Sequence, residues 1–169
     1  MKKIALVTGC AGFIGSNLVD ELLNLNYRVY GVDNFRTGLK NNLKNSLKNK
    51  NFIFFRFNLL NKVKTIKIFK RKIDVVFHLA ANADVRKGHL NPIDDLKYNT
   101  LVTFNTLEAV RKNNIKKFVF CSTGSIYGET KQIPTPENSK FPIQTSMYGA
   151  SKLACEGLIE AYSEAYKIK

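Results

Sequence analysis

Short, wholly apolar runs alternate along this chain with stretches in which apolar residues recur every three or four positions. The runs are KIALVTG at the N-terminus, YRVYGVD, NFIFFRFN, IDVVFHLAA and KKFVFCST, and each predicts a β-strand. Helical periodicity follows the first run through Ile14, Leu18, Leu22 and Leu25. It returns over residues 38–48, 62–72, about Pro92 to Asn113, and from about Ser146 onward. Strands that are apolar throughout, rather than alternating, are buried on both faces. Five of them interleaved with helices predict an α/β, doubly wound parallel sheet in three layers, with a ligand crevice at the carboxyl ends of the strands. No internal repeat or domain boundary interrupts the pattern, so residues 1–169 are expected to form one domain, with the chain ending as a sixth strand falls due.

Within the second helical stretch, Leu39, Leu43 and Leu47 recur every fourth residue, which predicts a helix with a buried leucine stripe and a solvated basic face. That stretch lies in the most charged part of the chain. Between Asn34 and Ile73 there are 12 Lys or Arg and no Asp or Glu, against a net charge of +14 for all 169 residues. The block has no accompanying aromatic–basic recognition motif, so a solvated surface is favoured over nucleic-acid binding. No apolar run reaches 18 residues, which argues against a membrane partner. Cys10, Cys121 and Cys155 are odd in number and lack metal-ligand spacing; no metal site is expected, and the thiols suit a reducing, cytoplasmic setting.

Candidate chemistry enters at VTGCAGFIGSNL. Gly9, Gly12 and Gly15 lie between the first strand and the first helix, where glycine lets the backbone turn tightly and approach a pyrophosphate at the helix N-terminus. Asp33 closes the second strand, 18 residues beyond Gly15, where a carboxylate can bind both ribose hydroxyls of an adenosine and repel a 2′-phosphate. Together these predict NAD as cofactor in a Rossmann-type fold. Arg36, three residues further on, could reach a 2′-phosphate and so keeps NADP open. Tyr148 and Lys152 are one helical turn apart. A phenol with a pKa of about 10 is a poor base near neutrality, and a neighbouring ammonium favours the phenolate. Thr123, closing the fifth strand, can hydrogen-bond the same substrate oxygen.

TGCAGFIG, VDNFRTG, HLAA, CSTGSIYG and YGASK, in this order, resemble the motifs of the extended short-chain dehydrogenase/reductase family, the NAD-dependent nucleotide-sugar epimerases and dehydratases. The resemblance covers essentially the whole chain. It implies catalytic roles for Thr123, Tyr148 and Lys152. It also implies a cofactor site drawn from Gly9, Gly12, Phe13, Ile14, Gly15, Asp33, Asn34, Asn58, Leu79, Ala80, Ala81, Asn99, Tyr148 and Lys152, with His78 to Ala81 running along the cofactor. Asn58 stands where the family commonly has an aspartate meeting the adenine amino group, and its amide oxygen can still accept. The TGSIYG stretch has Gly124 and Ser125 where family dehydratases carry an acid, which favours epimerisation of a UDP-sugar at carbon 4. A further region beyond residue 169, holding most of the sugar site, and a homodimer of the full-length form are also implied. Two alternatives remain open: a non-catalytic NAD-binding module, and another dehydratase or reductase of the family.

Overall fold

The computed structural model describes residues 2–139 and 143–169. Five parallel strands form one sheet: β1 (Ile4–Thr8), β2 (Arg28–Asp33), β3 (Phe52–Arg56), β4 (Val75–His78) and β5 (Phe118–Phe120), in the order β3-β2-β1-β4-β5. The chain winds outward from β1 in one direction through β2 and β3, then crosses back to β4 on the other side. Thr8 therefore pairs with Val32 on one flank and His78 on the other. The carboxyl ends of β1 and β4 diverge at this reversal, which opens the crevice expected of a doubly wound sheet.

β1 reads as unbroken apolar sequence because both of its faces are covered. Leu6 joins a core with Tyr30, Val76, Phe69, Leu107 and Phe118. Ala5 and Val7 join the opposite core with Val19, Leu22, Val29 and Leu43. The covering helices are α1 (Phe13–Asn24), α2 (Lys62–Phe69), α3 (Val85–Leu90), α4 (Pro92–Asp95), α5 (Val102–Lys112) and α6 (Met147–Tyr166). Between α4 and α5 the helix continues without a break, but Leu96–Leu101 is π-helical. Pro92 opens the run, where its missing N–H costs nothing. The proline-containing segment before α6 includes residues 140–142, which lie outside the described residues.

Two features depart from the sequence reading. Residues 38–48 form two short 3₁₀ segments, Lys40–Leu43 and Ser46–Lys48, in place of one helix. Leu43 is fully buried, while Leu39 is 63% exposed and Leu47 43% exposed, so there is no leucine stripe. Side-chain tethers explain this: Asn42 Nδ2 donates to the Ala11 carbonyl at 2.9 Å, and Ser46 Oγ to Asp20 Oδ1 at 2.5 Å. Such bonds compete with helical ones in an asparagine-rich segment. The short helix α3 carries no periodic signal of its own. At the other end, Lys169 N donates to Lys116 O and Phe118 N to Lys169 O, both at 2.8 Å. This is the parallel-pairing pattern, so the last residues lie along the free side of β5.

Candidate active site

A cleft of about 500 Å³ opens at the carboxyl ends of the strands. All five strands end at its rim, which explains how residues far apart in sequence meet there. The glycine loop forms its floor. Gly9 has φ +68°, and a Cβ there would come within 2.7 Å of Ala80 N. A Cβ on Gly15 would meet Gly9 O at 2.1 Å, so α1 can approach β1 only with glycine at this position. Gly12 is different: its Cβ would meet only Gly9 O, at 3.3 Å. That contact is tight but milder than the overlaps at Gly9 and Gly15. Gly12 is also the N-cap of α1 and offers no side-chain cap. The first N–H groups of that helix have no intrahelical acceptor and suit an anion. Phe13 and Ile14 follow, 83% and 57% exposed at the cleft.

Asp33 is held from both sides. Its Oδ2 accepts from Ala11 N at 2.9 Å and its Oδ1 from Phe35 N at 2.7 Å, with Phe35 in the left-handed region at φ +60°. Asn34 Oδ1 accepts from Arg36 N, and Asn58 Oδ1 from Leu60 N at 2.9 Å, so each amide oxygen already closes a local turn. Arg36 does not point freely at the ribose end. Its guanidinium pairs with Asp94, donates to Asn82 Oδ1 at 3.3 Å and lies 4.0 Å from the centre of the Tyr98 ring.

Thr8 organises the fork between β1 and β4. Its hydroxyl accepts from Leu79 N and Ala80 N, both at 3.2 Å, leaving its proton for His78 Nδ1 at 2.8 Å. That assigns the other proton to His78 Nε2, which donates to Thr103 Oγ1 at 3.1 Å. Burial, with a smaller contribution from Lys152, pushes the His78 pKa down to about 3. His78 is fully buried and does not line the cleft, although Leu79, Ala80 and Ala81 do. Of the stretch His78 to Ala81 expected to lie along a cofactor, only the last three residues face the cleft.

Ser146 caps α6 by accepting from Gly149 N at 2.9 Å, which fixes the turn carrying Tyr148. Lys152, one turn on, donates to Cys121 O at 2.6 Å, with its ammonium 3.8 Å from the centre of the Phe120 ring. Burial lowers its pKa. Burial also pushes the Tyr148 phenol above its ordinary value, and the opposing influence comes from the Thr123 hydroxyl. Lys152 is not among the groups that set this direction, and its ammonium is held by Cys121 O and the Phe120 ring. Thr123 also donates to Ser125 Oγ at 3.3 Å.

Gly9, Gly12, Phe13, Ile14, Gly15, Asp33, Asn34, Asn58, Leu79, Ala80, Ala81, Thr123, Tyr148 and Lys152 all line this one cleft. Asn99 does not. It is 1% exposed and sits behind the wall, where Oδ1 accepts from Asn82 N at 2.7 Å. Tyr98 and Cys121 also line the cleft. The sequence reading passed over Tyr98, next to Asn99, and took Cys121 only as a reduced thiol within CSTGSIYG, because neither residue type marks a site by itself. Among the described residues no cluster of metal-ligating side chains occurs, and no helix is long and apolar enough to cross a membrane.

Comparison with known proteins agrees with this geometry. A protein of Methanocaldococcus jannaschii provisionally named UDP-glucose 4-epimerase is 42% identical over 166 residues, covering 97% of this chain and 52% of the relative. The crystal structure of UDP-glucose 4-epimerase with UDP-glucose from Thermotoga maritima superposes with a TM-score of 0.91 at 38% identity. It matches 98% of this chain and 53% of that one. The Thermus thermophilus UDP-glucose 4-epimerase in complex with NAD gives 0.89 at 38% identity, with 98% and 52% covered. The chain spans about half the length of the curated relatives it matches. Residues 5–169 match the model of the NAD dependent epimerase/dehydratase family, and the chain belongs to that family.

Proposed function

We propose that residues 1–169 form the cofactor-binding and catalytic part of an NAD-dependent epimerase acting at carbon 4 of a UDP-hexose. The convergence of the glycine loop, Asp33 and the Thr123–Tyr148–Lys152 group on one cleft carries this reading. The names of the related structures, with UDP-glucose in one and NAD in another, support it. NAD, when bound, supplies a hydride acceptor that later returns the hydride to the sugar. The N–H groups at the start of α1, which Gly12 leaves without a side-chain cap, would hold its pyrophosphate. Asp33, fixed by two backbone N–H groups, would accept from the adenosine ribose. Thr123 would align the sugar hydroxyl at carbon 4, and Tyr148 would take its proton and give it back. Lys152 would turn from Cys121 O to the nicotinamide ribose. The positive charge of the oxidised cofactor would offset the burial that otherwise holds the phenol protonated. Epimerisation needs no further acid, and Ser125 bonds Thr123 where a dehydratase would need a carboxyl group. A dehydratase of the same family is therefore the second reading. A homodimer of the longer form and a cytoplasmic setting, which the three free cysteines suit, belong to the proposal.

The test is calorimetric titration with NAD and NADP, followed by UDP-glucose/UDP-galactose interconversion with added NAD. Both are run on this chain and on one continuing past Lys169. This chain should bind NAD more tightly than NADP, and Asp33→Ala should weaken NAD more than NADP. Only the longer chain should turn over, and Tyr148→Phe should abolish its activity. Loss of positioning over the nicotinamide can remove many orders of magnitude in rate. Tighter NADP binding, or a longer chain that binds NAD and UDP-sugar yet never interconverts them, sinks the assignment.

A further inference from the structure

The helical run that passes behind the cleft buries polar side chains where a covering helix ordinarily buries apolar ones. Asp95 and Asn99 are each 1% exposed and Asn82 is fully buried. Asp95 Oδ1 accepts from Asn82 Nδ2 at 2.8 Å and from Asn99 Nδ2 at 3.2 Å. Asn99 Nδ2 also donates to Ser151 Oγ at 2.8 Å, and Ser151 Oγ donates to the Tyr148 carbonyl at 2.8 Å. An unbroken line of hydrogen bonds thus joins Asp95 to the first turn of α6. The π-helical segment begins at the residue after Asp95 and contains Asn99, so its wide turn sits within this line.

Among the described residues, the other carboxylate oxygen, Oδ2, has no hydrogen-bond partner. It rests against Gly88 of α3, where an added Cβ would lie 2.1 Å away and would itself be 3.7 Å from Met147 Cβ. Burying a carboxylate with an unused oxygen is costly. An asparagine could accept both amide bonds through its one oxygen, so hydrogen bonding alone does not call for aspartate. Its negative charge is what asparagine would not supply.

We propose that Asp95 is a positioning residue for Tyr148: through Asn99 and Ser151 it sets the turn that carries the phenol, and it presents a fixed negative charge to that phenol from α4. The groups that influence the phenol are the Thr123 hydroxyl, by hydrogen bonding, and Cys121, Asp95 and Cys155, with Lys152 one turn away on α6. Of the charged groups among them, Asp95 opposes the phenolate. The inference rests on Tyr148 as the base in the reading above. Its titration can nevertheless be followed with no sugar present, so failure of the epimerase assignment and failure of this inference are separable.

The experiment follows phenolate absorbance against pH in four proteins: the parent, Asp95→Asn, Asp95→Ala and Ser151→Ala. Each is read as the difference from the same protein carrying Tyr148→Phe, which isolates Tyr148 from the other tyrosines. Asp95→Asn should fold as the parent does and titrate Tyr148 lower by about half a unit or more, because only the charge is gone. Asp95→Ala combined with Ser151→Ala should perturb NAD affinity by much less than the two single effects together, since both cut one line. If Asp95→Ala does not fold, the Asp95→Asn titration decides alone. Either an unchanged Tyr148 titration in Asp95→Asn or additive effects of the other two substitutions overturns the proposal.

Discussion

Thr8 and His78 show how much a single side chain can settle at the point where the strand order reverses. The Thr8 hydroxyl shares the Leu79 N–H with its own carbonyl and takes up the Ala80 N–H as β4 leaves β1, and His78 then carries the hydrogen-bond line on to Thr103. This makes His78 a measurable stability element. The unfolded chain takes up a proton near 6.5, whereas the buried ring does so only near 3. Between those values the unfolded state binds more protons, so stability falls as pH drops, by up to ~1.4 kcal/mol per pH unit. Urea denaturation from about pH 7 to about pH 5.5 stays above the range where carboxylates titrate and should show this slope. The chain has only two histidines. The slope should survive His89→Gln and flatten in His78→Asn; a flat parent profile would show that the ring accepts a proton in the folded state. His78 is recognisable in the sequence only as part of a motif, because ring burial depends on Phe118, Phe120 and Thr103, which arrive from other elements.

At the scale of elements, strands were easier to read than the segments between them, and the reason is physical. β1, β2 and β4 are apolar at nearly every position because both sheet faces are covered. Residues 38–48 also showed a regular pattern, yet that pattern was accidental. Leu43 enters the core beside Val19, Leu22 and Val29, while the tethers through Asn42 and Ser46 hold the backbone in short 3₁₀ turns. Leu43→Ala should therefore cost ~2–5 kcal/mol, the range for deleting a buried leucine side chain. Leu39→Ser and Leu47→Ser should each stay within about 0.5 kcal/mol of the parent. Denaturant midpoints of the three variants give the comparison, and equal losses would restore the helix with its leucine stripe. The π-helical turn was not legible at all. It depends on the fit of Asn99 between Asn82 and Ser151, which are 17 and 52 residues away.

For the whole molecule, the charge is the property most open to misreading. The acid-free block from Asn34 to Ile73 supplies α2 and the 3₁₀ segments, and several of its cations lie on the chain's own aromatic rings. Arg71 lies over Tyr30 and Phe55, and Arg56 over Phe35. Such a surface should bind DNA or RNA only through counterion release. Filter binding should therefore show weak, sequence-independent association that disappears as salt approaches physiological strength. Selective binding that persists there would give the block a second role. The fold, the cleft and fourteen of its residues followed from pattern and motif. Asp95 and Asn82 did not, because nothing local marks a buried polar side chain whose partners come from three separate elements.

The reversal of strand order between β1 and β4 also has a mechanical side. Asp33 and the glycine loop belong to the half built on β1, β2 and β3, whereas Thr123, Tyr148 and Lys152 belong to the half built on β4, β5 and α6. A ligand reaching from one group to the other ties the two halves together like a cross-brace, beyond the contacts it makes with either. Unfolding of either half would then have to wait for its release. At a hundred times its dissociation constant, such a ligand adds ~2.7 kcal/mol to the resistance of the folded chain.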